Sequence, residues 1–72
     1  MERAVDVLDE LRRLVDGWGE VVEEYGGYAI KIVNGARLPW SKICELLLGI
    51  NHEIWVERRG HDMYIVSKPA TD

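Results

Sequence analysis

Phenylalanine and glutamine are absent from this 72-residue chain, and cysteine occurs once, as Cys44. A single thiol excludes an intramolecular disulfide and a cysteine-rich zinc site within one chain, and it fits a reducing compartment. No apolar run approaches the roughly 18 to 20 residues that a membrane span needs, and Met1-Glu2-Arg3 opens an amphipathic pattern rather than a signal peptide. These absences lead us to expect a cytoplasmic protein with no membrane partner. Proline is confined to Pro39 and Pro69, and no Pro-rich stretch marks a linker. The chain therefore reads as a single domain over residues 1–72, with a polar tail at 69–72 that frays. Scarce Asn and Gln beside abundant Glu and Arg lean toward a heat-adapted source.

Basic charge is also short. Nine Lys and Arg face thirteen Asp and Glu, for a net charge of −4. Residues 1–25 hold eight of the acids and three of the bases, so this segment repels nucleic acid. The remainder, with six bases and five acids, lacks the basic footprint of a DNA-binding domain. A chain this short buries only about 60% of the surface its unfolded form exposes, so self-association would supplement a small core.

What the chain does carry is a long apolar seam. Ala4, Leu8, Leu11, Val15, Trp18, Val22 and Tyr25 recur at alternating steps of four and three. That spacing predicts a helix over residues 2–25, with its phase maintained through Asp16-Gly17-Trp18-Gly19. Glu2, Asp6, Asp9 and Glu10 lie early and Arg12 and Arg13 late, as the helix dipole favours. A break at Asp16-Gly17 is the alternative reading. Tyr28 to Val33 alternates as a strand, followed by an Asn34-Gly35 turn from which any returning strand, Ala36 to Leu38, must be short and at an edge. Pro39 to Leu48 is helical, with Gly49 in the terminating position, and its nearly all-apolar wheel predicts burial on more than one side.

Asn51 to Arg58 and roughly Asp62 to Ser67 form a hairpin, turning through Arg59-Gly60 or through Arg59 to Asp62. Either loop places Ile54, Val56, Met63 and Ile65 on a core face, and Trp55, Tyr64 and Val66 on the other with Glu53 and Glu57. The order α-β-α-β-β gives an α+β domain: a long N-terminal helix and a second helix packed on a three-stranded antiparallel sheet. If residues 20–25 pair as a strand, the order becomes α-β-β-α-β-β.

No catalytic constellation emerges. His52 and His61 fall at opposite ends of one strand, His61-Asp62 reads as a polar turn, and Cys44 with Ser41 lies on a helix with no base nearby. Gly26-Gly27 precedes a strand, the wrong order for a phosphate loop. No catalytic residue, metal site, cofactor or small-molecule substrate is therefore expected.

The stretch Leu38-Pro39-Trp40-Ser41-Lys42-Ile43-Cys44-Glu45-Leu46-Leu47-Leu48-Gly49, followed by the hairpin from Ile54 to Val66, resembles the C-terminal half of winged-helix domains. That resemblance implies a winged-helix-like fold with Ser41, Lys42 and Glu45 on a reading helix and Arg58, Arg59 and His61 on the wing. Phosphate contacts would then fall to Lys42, Arg58 and Arg59. The family places two helices between its first strand and its wing, whereas one is evident here.

Trp and Tyr concentrate where interfaces bind tightly, so Trp18, Val22, Tyr25, Trp55, Tyr64 and Val66 are the candidate protein-interface residues. A straight 24-residue helix spans about 36 Å, against a diameter of about 29 Å for a compact chain of this length. Either it bends at Gly17 to Gly19, or its end packs on a second copy. The expectation is a small non-enzymatic interaction module that forms a homodimer or binds another protein. A winged-helix-type DNA-binding regulator is the competing reading.

Overall fold

The structure is a computed structural model and describes residues 6–70. It is α+β, with two helices and four strands: α1 (Val7–Val15), β1 (Gly19–Glu24), β2 (Gly27–Ile32), α2 (Trp40–Gly49), β3 (His52–Arg59) and β4 (Asp62–Pro69). All strand pairs are antiparallel, in the spatial order β1-β2-β4-β3. The α-β-β unit occurs twice, and exchanging the two units leaves the sheet order unchanged. Each hairpin closes through a two-residue loop, Glu24 pairing with Gly27 and Arg59 with Asp62.

The expected helix over residues 2–25 is replaced by a short helix and a strand, which also raises the strand count from three to four. Residues 2–5, Ala4 of the seam included, lie outside the described residues. The Asp6 side chain caps α1 by accepting from the Asp9 N–H at 3.4 Å, and Leu11 and Val15 supply its buried stripe. Asp16 is then extended (φ −52°, ψ 122°), and Gly17 enters the left-handed region at φ +84°. The seam's later members keep helical spacing by coincidence. Val21, absent from the seam, enters the core, while Val22 points to the opposite face. Tyr25 and Gly26 both have positive φ (47° and 82°), as a type I′ hairpin loop requires.

Val21, Ile30, Ile65 and Val56 align across all four strands and define the inner face. Leu11 and Val15 of α1, with Ile43 and Leu47 of α2, pack on this row to make the core. Leu38 joins them because Asn34 closes a turn in which its carbonyl accepts from the N–H groups of Arg37 and Leu38, so the expected edge strand over Ala36 to Leu38 does not form. In α2 only Ile43 and Leu47 are fully buried; Leu48 and Trp40 are exposed, so the helix is covered on one side rather than several. Its end is set by Asn51 at φ 62° rather than by Gly49.

In the last hairpin the loop is Gly60-His61, with Gly60 at φ +65°, and the predicted division of faces is observed. Pro69 and Ala70 depart from the expected frayed tail. Pro69 pairs with His52 at the end of β4, and the Ala70 N–H donates to the Asn51 carbonyl at 3.0 Å. Residues 71–72 lie outside the described residues.

Candidate functional site

Both helices pack on the inner face, so among the described residues the outer face of the sheet has no third layer. Its central row is apolar: Val22, Ala29, Val66 and Trp55 stand opposite one another across the four strands. Glu20, Lys31, Tyr64 and Glu57 form the next row, and Glu24, Lys68 and Glu53 lie on the other side. Although this face lacks a covering element, Ala29 is fully buried and Val66 is only 5% exposed. The sheet itself provides the cover.

Arg59 donates to both carboxylate oxygens of Glu24 at 2.7 Å, and its Nε donates to Glu57. Glu24 and Arg59 sit on opposite edge strands. In a flat sheet, three strand spacings would separate them by about 14 Å sideways, with about 20 Å more along the strands. Right-handed twist lifts this diagonal pair of corners toward the outer face and makes the contact possible. The Arg59 guanidinium also lies over the Tyr64 ring, 4.9 Å from its centroid. Beside it Trp55 Nε1 donates to Glu57 at 3.0 Å, and Lys68 Nζ lies 6.0 Å from the Trp55 ring centroid.

These contacts shift the charges in a consistent direction. The hydrogen bonds from Arg59 hold the Glu24 carboxyl below its ordinary range. Glu57 is lowered first by the Trp55 N–H and then by Arg59, whose own guanidinium is raised by both carboxylates. Between the ion pair and the edge of β3 lies a cleft of about 240 Å³, walled by Tyr25, Trp55, Val66 and Lys68.

Of the predicted interface residues, three reach solvent on or beside this face: Val22 (51% exposed), Tyr25 (94%) and Trp55 (37%). Tyr64 is half-buried beneath Arg59, and Val66 forms the cleft floor rather than an exposed stripe. Trp18 belongs to the other side, packed against the core with Arg37 over its ring. The predicted phosphate contacts are scattered. Arg58 and Arg59 point to opposite faces of β3, Lys42 is exposed on α2, and the Arg59 charge is engaged by two carboxylates.

A second polar cluster escapes sequence reasoning. Ser67, 1% exposed, accepts from the Tyr28 N–H at 3.3 Å and meets His52 Nδ1 at 3.1 Å, while His52 stacks on Tyr28. The distance suits a nucleophile and its base, but the hydroxyl is sealed inside the sheet junction. Burial also pushes the Tyr28 phenol up. The hairpin register alone places His52 and Ser67 diagonally on one face; Tyr28 comes from the other half of the chain. Cys44 is partly buried on α2.

Among the described residues no three His, Cys, Asp or Glu side chains are grouped to hold a metal ion. No helix among them is long and apolar enough to cross a membrane. No protein-family model, curated protein or solved structure matches the chain.

Proposed function

We propose that this chain is a small, non-enzymatic protein-interaction module, self-associating and acting in the cytoplasm, whose partner surface is the outer face of the sheet. The observation that carries this reading is the one-sided distribution of cover: both helices serve the inner face, while Tyr25 and Trp55 stand exposed at a cleft on the other and Val22 is exposed on the same face. Exposed aromatic and aliphatic groups rimmed by charge are the chemistry of a protein contact rather than of a polar substrate site. The Glu24–Arg59 pair fixes the shape of that surface before any partner arrives, which reduces the ordering required on binding.

Affinity capture from cells expressing the protein tests this reading. A discrete partner should be retained by the native chain and by a Leu48→Ser variant altered on α2. It should be lost from a Val22→Ser/Tyr25→Ser variant. Retention by that double variant would assign binding elsewhere.

The winged-helix reading ranks second. It is supported by the order of α2 and the β3–β4 hairpin, with Arg58 and Lys42 exposed. It is weakened by Arg59, which is held by Glu24 and Glu57. Fluorescence anisotropy with a labelled duplex at low and physiological salt separates the two: micromolar binding with a steep salt slope, lost in Arg58→Ala/Arg59→Ala, would favour DNA.

A further inference from the structure

We infer that the partner in self-association is a second copy of this chain joined edge to edge through β3, in one specific antiparallel register centred on Val56. The inference deepens the self-association in the proposed function and is independent of what the outer face binds.

The two sheet edges differ in chemistry. β1 is six residues long and carries Glu20, Glu23 and Glu24, so pairing it with its own copy crowds three glutamates from each chain into one interface. β3 is eight residues long, contains no proline, and runs in unbroken register against β4 from His52 to Arg59, without a bulge. It thus lacks three of the devices that blunt an edge, namely short length, proline and a bulge, and its charges, Glu53, Glu57, Arg58 and Arg59, are of both signs. Its central residue Val56 lies in the core row of the inner face, yet is 51% exposed at the rim.

The backbone decides which groups are available. Arg59 and Asp62 flank a two-residue loop, so they form a hydrogen-bonded pair and the odd-numbered residues of β3 bond inward to β4. The bond from the Ala70 N–H to the Asn51 carbonyl follows the same parity. His52, Ile54, Val56 and Arg58 therefore direct their N–H and C=O groups away from the sheet.

A two-fold axis at Val56 sets Val56 against its copy and Ile54 against Arg58, forming about six main-chain hydrogen bonds, two per bonded pair. On the outer face, the same register sets Glu53 opposite Arg59 on both sides of the axis. Three of the five guanidinium N–H groups of Arg59 are used within the chain, and the two left lie on opposite sides of the group, so one of them is offered to the incoming carboxylate. Moving the centre to Trp55 places Glu53 opposite Glu57, and moving it to Glu57 places that carboxylate against itself. Of these three centres, only Val56 sets opposite charges against each other on the outer face. The product is a closed dimer with an eight-stranded sheet, in which the two outer faces become continuous.

Light scattering behind a sizing column, on the full chain at about 100 μM, should give twice the 8.3 kDa chain mass. Val56→Lys should return the monomer with an unchanged circular dichroism spectrum, since the site is half-exposed. Register is read by oxidation in a Cys44→Ala background. Val56→Cys should trap a covalent dimer, while Glu53→Cys, about 20 Å from its copy in this register, should not. A monomer at this concentration, a dimer that survives Val56→Lys, or trapping at residue 53 in place of 56 would overturn the inference. Open-ended oligomers would also overturn it, assigning β3 to a head-to-tail contact with the acidic β1. None of these outcomes bears on capture of a partner by the outer face, so failure of the two readings is distinguishable.

Discussion

Glu24 and Arg59, contributed by the two outermost strands of the sheet, are joined by a two-pronged ion pair across the face opposite α1 and α2. They occupy matching positions in the two α-β-β units, each the last strand residue before its hairpin loop. Pairing them fastens one half of the chain to the other on the side opposite the core. The two side chains, with Val66 between them, line the cleft on the outer face.

The pair should therefore behave as a unit. Glu24→Gln and Arg59→Met should each lower the thermal midpoint by a few degrees, and the double variant by no more than the larger single effect. Thermal denaturation of all four proteins at low salt checks this. The difference should shrink as ionic strength rises, because both groups are partly exposed.

The same contacts predict a response to acid. Folding lowers the Glu24 and Glu57 carboxyls below their ordinary value of 4.5, so the unfolded chain binds the more protons there. Their contribution is complete above about pH 4.5 and is lost as pH falls through the depressed folded values. Urea midpoints measured between about pH 7 and pH 3 should fall more steeply for the native protein than for Arg59→Gln.

Two glycines should respond to alanine in opposite directions. A Cβ on Gly27 would lie 1.9 Å from the Ser67 carbonyl oxygen of β4, so Gly27→Ala should cost about 3 kcal/mol or prevent folding. Gly49, at the end of α2, has open space around it and should gain about 0.5 to 1 kcal/mol as alanine. Equilibrium denaturation of both variants measures the contrast.

Ser67→Ala should destabilise by about 1 to 3 kcal/mol, because it removes the hydroxyl that accepts from the Tyr28 N–H and partners His52 Nδ1. Urea titration gives the magnitude, and accelerated amide exchange at Tyr28 should locate it.

The last hairpin and α2 are legible in the sequence because each rests on local signals. Pro39 marks a helix start, Gly60 a tight loop, and alternation from Ile54 to Val66 fixes which face is buried. The first third of the chain misleads for an equally local reason. Val15, Trp18, Val22 and Tyr25 keep helical spacing through Gly17, yet the chain changes from a period of 3.6 to a period of 2 at that glycine. Val21 and Val22 are adjacent valines, and only the pairing of Val21 with Ile30 decides which enters the core.

By itself, then, the sequence determined an α+β domain, the second helix and the division of faces in the final hairpin, since turn chemistry and side-chain period act over a few residues. Only the tertiary structure decided that residues 19–24 form a strand, that Glu24 meets Arg59, and that β3 lies at the edge of the four described strands. Those features depend on strand order and sheet twist, which bring together residues far apart in the chain and leave no local periodicity to read.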